Sequence, residues 1–254
     1  MANDAKTCAK RVLALVDLTD LNDNCDVAAI DQLCARATTA FGHVAAICIW
    51  PRFVAHAKPL LKGSGVRIAT VVNFPSGNQS TEDVVRDTKT ALADGADEID
   101  LVMDYASFKA GQADAALAQM RTVRKACKGA LLKIILETGE LGDAETIRSA
   151  AELAISAGAD FIKTSTGKVS TNATPQAAII MLEAIKASGK AIGFKPAGGI
   201  RTLEDAEMYL DIADRIMGAG WATPKTFRFG ASGLLDALLA TAADTSPPPH
   251  QGAY

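Results

Sequence analysis

SAGADFIKTSTG, residues 156–167, decides the fold, because ADGADEID at residues 93–100 repeats its opening. Both segments read Gly-Ala-Asp, one variable residue, Ile, then a charged residue. The glycine marks a helix end and the apolar run after it marks a strand, so one kind of helix-to-strand turn launches both segments. The repeat therefore predicts that Asp100 and Lys163 occupy equivalent positions on two strands.

Working outward, apolar runs recur at residues 14–19, 45–50, 67–74, 98–105, 131–138, 161–166, 192–199 and 228–232. Runs of this length suit strands buried on both faces of a parallel sheet. Helix signals lie between them. Ser80 to Asp83 and Thr202 to Asp205 are N-terminal capping patterns, Pro175 follows Thr174 at a helix start, and Gly95, Gly158 and Gly189 stand where helices stop. Eight strands alternating with helices over 254 residues point to an α/β fold, the (β/α)8 barrel. An open doubly wound sheet is the rival architecture, but no glycine-rich phosphate fingerprint follows the first strand. The repeat strands would be the fourth and sixth. Alternate strands fill one interior layer, so Asp100 and Lys163 should face each other across the lumen. An extra helix over residues 3–12 precedes the first strand, and residues 1–254 read as a single barrel domain whose Pro-rich end, 244–254, is an extended, flexible tail.

Three lysines interrupt three of the apolar runs: Lys133 in LLKIILE, Lys163 in FIKTSTG and Lys195 in IGFKPAGG. A buried ammonium costs several kcal/mol unless it pairs or loses its proton. Desolvation and neighbouring cations both push such an amine toward its neutral, nucleophilic form. A neutral lysine can condense with a carbonyl, and the resulting iminium draws electrons from a carbon–carbon bond beta to it. Spacing alone does not say which lysine attacks. Asp100 is read as a proton-transfer group or as the counter-ion of the lysines, Lys133 as its partner, and Asp17 and Cys48 as site residues on the first two strands. Three late segments form a candidate anion cradle: Thr166-Gly167-Lys168, Gly198-Gly199 with Arg201, and Gly230 with Ser232. An isomerase barrel using Asp100 as base, or a phosphosugar-binding barrel without chemistry, remains open at this point.

Composition excludes other classes. The net charge of −3 gives no reason to expect nucleic acid or an anionic membrane as partner, and no apolar run approaches the length of a membrane span. The N-terminus lacks the apolar stretch of a signal peptide. Five cysteines without a CxxC suggest reduced thiols in the cytoplasm. Three histidines without helical or strand spacing make a metal site improbable, so neither metal nor cofactor is expected.

FIKTSTG, GFKPAGGIR, GADEIDLV, AAICIWPRF and VVNFPSG together resemble the class I deoxyribose-phosphate aldolases, over about residues 12–235. The resemblance implies a metal-independent lyase that cleaves 2-deoxy-D-ribose 5-phosphate reversibly to D-glyceraldehyde 3-phosphate and acetaldehyde, with a homodimer as the assembly to expect. It implies Lys163 as the Schiff-base residue, Lys195 as the group that perturbs it, and Asp100 as proton donor and acceptor. It assigns phosphate to Gly167, Lys168, Gly198, Gly199, Arg201, Gly230 and Ser232, and gives the terminal Tyr254 a part in proton transfer. One departure is Gly233, where many relatives carry a serine; a weaker hold on phosphate is expected from the lost hydroxyl.

Overall fold

The computed structural model describes residues 2–245. All eight expected strands form: β1 Val16–Asp20, β2 Ala46–Ile49, β3 Arg67–Val72, β4 Glu98–Val102, β5 Leu131–Ile135, β6 Phe161–Lys163, β7 Gly193–Lys195 and β8 Phe229–Ala231. They pair in parallel in the order β8-β1-β2-β3-β4-β5-β6-β7. The last gap closes through parallel bridges Phe194–Phe227 and Ala197–Gly230. The ladder is interrupted at that seam by Pro196, which has no N–H to give. Backbone bonds from Arg228 N to Phe194 O at 3.0 Å and from Gly230 N to Pro196 O at 2.9 Å hold it, with Phe194, Phe227 and Phe229 packed edge to face.

The Gly-Ala-Asp repeat is a strand starter. Gly95 (φ 106°) and Gly158 (φ 93°) turn the chain out of its helix in a conformation that favours glycine. The following Asp97 and Asp160 then pin the neighbouring strand from both sides. Asp97 N donates to Ile68 O at 2.8 Å and its carboxylate accepts Ile68 N at 2.9 Å; Asp160 does the same with Leu132, at 2.9 and 2.7 Å. The register of β4 on β3 and of β6 on β5 is thus set by one device used twice, and it sets the depth of Asp100 and Lys163.

Alternation does the rest. Ile47, Ile49, Ile68, Ile99, Leu101, Leu132, Ile134 and Ile162 join the main core that the helices cover, whereas Ala46, Cys48, Ala69 and Val71 belong to a separate small cluster. Seven of the eight expected strands run too long at their C-terminal ends, β2 and β3 by one and two residues. β4 stops at Val102 and β5 at Ile135, and short helices begin at Tyr105 and Thr138; β6, β7 and β8 are three residues each. There the chain leaves the ladder to build loops, with Glu137 left-handed (φ 57°) and Gly198 at φ 85°.

The extra N-terminal helix spans Ala2–Leu13. It is tied to Asp244, which follows the helix Leu234–Ala243, by Lys6 at 3.1 Å, and Arg11 reaches Asp214 at 3.3 Å. Asp244 and Thr245, expected in the tail, instead close the last helix, Leu234–Ala243: Thr245 N donates to Ala240 O at 2.9 Å. A two-stranded hairpin, Thr38–Thr39 with Gly42–His43, was not anticipated. Among the described residues no helix is long and apolar enough to cross a membrane.

Candidate active site

Asp100 and Lys133 are Cα partners across β4 and β5, as are Lys163 and Lys195 across β6 and β7. All four side chains enter the lumen and meet. Asp100 Oδ2 receives Lys163 Nζ and Lys195 Nζ, each at 2.9 Å, and its Oδ1 receives Lys133 Nζ at 2.7 Å. The two repeat residues therefore touch directly. Lys163 is 3% exposed; Asp100, Lys133 and Lys195 are fully buried.

Two further acids and one further base complete the cluster. Lys195 Nζ lies 2.5 Å from Asp17 Oδ2, and Lys133 Nζ lies 2.6 Å from Glu98 Oε2. Arg228 donates to Asp17 at 2.7 Å and to Glu98 at 3.0 Å. Among the described residues, Lys133, Lys163, Lys195 and Arg228 thus share three carboxylates, Asp17, Glu98 and Asp100. Glu98 and Arg228 escaped the sequence reading, although each stands two residues before a lumen position, Asp100 and Gly230.

Burial alone would raise the Asp100 pKa, but Lys133, Lys163 and Lys195 override it and hold the carboxyl well below its ordinary value. Asp17 is lowered in the same way by Lys195 and Arg228. Lys133 and Lys195 stay charged, as the reading of Lys195 as a second ammonium beside the nucleophile expects. Burial pulls each down, yet the carboxylates at hydrogen-bond distance win and both are raised. A second ammonium matters less than two carboxylates in contact. Lys163 has one carboxylate contact in the cluster, shared with Lys195 and Lys133.

Lys163 is also the amine that reaches a cleft. This small cleft lies at the C-terminal ends of the strands and is lined by Thr19, Lys163, Thr166, Gly167, Ala197, Gly198, Gly199, Ile200, Gly230, Ala231 and Ser232. Two larger clefts open at the N-terminal ends, one of them lined in part by Glu98 and Arg228, but neither contains a lysine of the cluster. The lysine, not the volume, makes the cleft at the C-terminal ends the candidate site.

Several expected site residues stand elsewhere than foreseen. Asp17, expected as a site residue, is wholly buried, pairs with Lys195 and Arg228 as their counter-ion and does not line the cleft. Cys48 is fully buried in the small cluster of Ala46, Ala69 and Val71, and burial raises its thiol, which is thereby kept neutral. Lys168 and Arg201 are not among the described lining residues; Lys168 Nζ lies 3.5 Å from Asp23 and Arg201 N donates to Asp205. Gly198 N and Gly230 N donate within the β7–β8 seam. Those two glycines answer to packing: a Cβ on Gly230 would sit 2.7 Å from Ala197 Cβ, and one on Gly198 2.7 Å from Asn172 Cβ. Gly233 is the N-cap of the last helix and has no side chain to cap it. Tyr254 lies outside the described residues.

A buried acid that the sequence reading passed over organises one wall. Glu137, fully buried and left-handed, accepts from Thr166 N at 3.2 Å and from the Thr166 hydroxyl, and Lys168 N donates to that hydroxyl oxygen at 3.0 Å. Burial raises the Glu137 pKa against the pull of these bonds and of Lys163.

The family model of the DeoC/LacD family aldolases matches residues 11–239. The chain is 55% identical over 251 residues to a deoxyribose-phosphate aldolase of Agrobacterium fabrum, covering 98% of this chain and 97% of that one. It is similar to the solved structure of QR15, an aldolase, at 27% identity and a TM-score of 0.78, over 90% of this chain and 94% of that chain. A tetrameric deoxyribose phosphate aldolase from Aeropyrum pernix shares the fold, with a TM-score of 0.77 at 23% identity over 94% of this chain and 97% of that chain.

Proposed function

The chain belongs to the DeoC/LacD family of aldolases, and from that premise we propose how its buried cluster performs the reaction. It is a class I aldolase, a carbon–carbon lyase, and it cleaves 2-deoxy-D-ribose 5-phosphate reversibly to D-glyceraldehyde 3-phosphate and acetaldehyde. The observation that carries the assignment of roles is the position of Lys163: it alone of the cluster lysines lines the cleft, and it has the fewest carboxylate contacts.

Neutral Lys163 Nζ adds to the C1 aldehyde of the open-chain sugar, and the carbinolamine is protonated on oxygen and loses water to give the iminium. The C3 hydroxyl then gives up its proton, the C2–C3 bond breaks, and its electron pair moves into the iminium to form an enamine. C3 departs as the aldehyde carbon of D-glyceraldehyde 3-phosphate. Protonation of the enamine at C2, followed by hydrolysis, returns acetaldehyde and the free amine. Asp100, held ionised between Lys163 and Lys195 at 2.9 Å from each, passes these protons, with Lys195 as the adjoining donor. Thr166, Gly167, Gly199 and Ser232, with the N-terminus of the last helix behind Ser232, receive the phosphate. No metal or cofactor has a part in this scheme.

The test is to reduce the imine in place. Incubation with acetaldehyde and borohydride should leave an ethyl group on Lys163, found by peptide mass spectrometry and absent in Lys163→Leu. An adduct on Lys195 would exchange the two lysine roles. A folded protein without an adduct at either would end the Schiff-base reading.

The assembly and compartment belong to the same proposal. A homodimer rests on the resemblance of the sequence motifs, and a monomeric mass in sedimentation would dismiss it. A cytoplasmic location is supported by the unpaired thiols of Cys8, Cys25, Cys34, Cys48 and Cys127; a fractionation assay decides it. The partners are small molecules, the phosphosugar and acetaldehyde, with neither nucleic acid nor membrane.

A further inference from the structure

Arg228 is the one cation of the cluster that cannot give up a proton. It enters the lumen one residue before β8 and is 5% exposed. Its guanidinium bridges Asp17 and Glu98 at 2.7 and 3.0 Å, its Nε donates to Pro224 O at 2.5 Å, and it lies 5.7 Å from the centroid of the Phe161 ring. It faces the N-terminal mouth of the barrel and does not line the cleft of Lys163. Yet the two carboxylates it holds are those that Lys195 and Lys133 also use.

We propose that Arg228 is a positioning residue that takes a share of Asp17 and Glu98, so that the three carboxylates fall one short of the cations and Lys163 is the amine left free to become neutral. The inference rests on the reading of Lys163 as the nucleophile. With Arg228 in place the fully protonated cluster carries one excess positive charge, and loss of one lysine proton makes it neutral. Without Arg228, three lysines would meet three carboxylates, and loss of a proton would leave an uncompensated buried negative charge. Lys133 and Lys195 each hold two carboxylates within 3 Å, so the proton leaves from Lys163. Around Lys163 the charged groups are Asp100 on β4, Lys133 on β5, Lys195 on β7, Asp17 on β1 and, more deeply, Glu98 and Arg228. Glu137 after β5 turns its carboxylate to Thr166, and the Cys48 thiol on β2 stays neutral.

The rate at which acetaldehyde and cyanoborohydride ethylate Lys163, followed across pH by mass spectrometry, reads the fraction of neutral amine. Arg228→Gln should move the acid limb of this profile up by about one pH unit, which slows trapping about tenfold on that limb while the rates converge at high pH. Arg228→Lys should leave the limb in place. The paired variant Glu98→Gln/Arg228→Gln removes one charge of each sign, restores the excess of one cation and should bring the limb back. A uniform loss at every pH in Arg228→Gln, or a limb not restored in the paired variant, overturns the proposal. If circular dichroism shows Arg228→Gln unfolded, the two charge-conserving variants decide: unmoved limbs support the inference and a moved limb in either overturns it. Absence of any Lys163 adduct in the unsubstituted chain is a different outcome, and it removes the nucleophile reading together with this one.

Discussion

Lys163, Lys195 and Lys133 have the same side chain in similar apolar runs, and contacts separate them. Two carboxylates stand within 3 Å of each of the other two, whereas Lys163 shares only Asp100 and opens on the cleft. Asp100 is therefore the hinge of the site, because its two oxygens hold all three amines. Asp100→Asn should lower turnover by roughly 10²–10⁴-fold, the usual worth of a positioned proton-transfer group. It should also cost about 3–5 kcal/mol of stability, since three buried ammonium groups lose a shared partner. Steady-state assay and urea denaturation on one preparation check both, and near-normal turnover in a folded variant would deny Asp100 the proton-transfer role.

Within the elements, the close approach of β6 and β7 depends on a glycine. Gly193 pairs with Phe161, and a Cβ at Gly193 would stand 2.4 Å from the Phe161 ring. That ring lies under the Arg228 guanidinium, so it has packed neighbours on more than one side. Gly193→Ala should cost about 1–3 kcal/mol by overpacking. Phe161→Leu in the same chain should recover part of that loss. Denaturation midpoints of the single and double variants test this, and strict additivity of the two losses would refute the steric account. The Gly-Ala-Asp turns show the other side of element-scale design: one aspartate pins the neighbouring strand by its backbone and side chain together, which is why a sequence repeat could report depth in the barrel.

For the whole molecule, the cluster couples folding to pH. The folded-state pKa values of Asp17 and Asp100 are depressed, so their stabilisation is present above the ordinary carboxylate range near 4 and is lost as pH falls through the lower folded values. Lys133 and Lys195 are raised, so their share is complete below about 10.4 and is lost as pH rises through the higher folded values. Calorimetry should therefore find no loss of melting temperature from this cluster between about pH 5 and 10, and a steep fall below about pH 4. The comparison that isolates the effect is with Asp100→Asn, whose acid fall should be shallower; identical acid profiles would show that the cluster does not govern acid stability.

The sequence by itself determined the eight strands, their alternation with helices, the helix caps and the pairing of Asp100 with Lys163, because these follow from local periodicity, turn chemistry and one internal repeat. Even the unforeseen Glu98 and Arg228 stand two residues before Asp100 and Gly230, the spacing that puts side chains of a strand on one face. How many carboxylates each lysine meets, where Asp17 points, and which glycines serve packing were decided only by the tertiary structure. Those answers depend on distances between strands remote in the chain, such as Arg228 to Asp17 at 2.7 Å, and on the balance of charges that closure of the barrel brings together. Ionisation in a buried cluster is a collective property, set by how many opposite charges reach each group, and no local stretch of sequence contains that number.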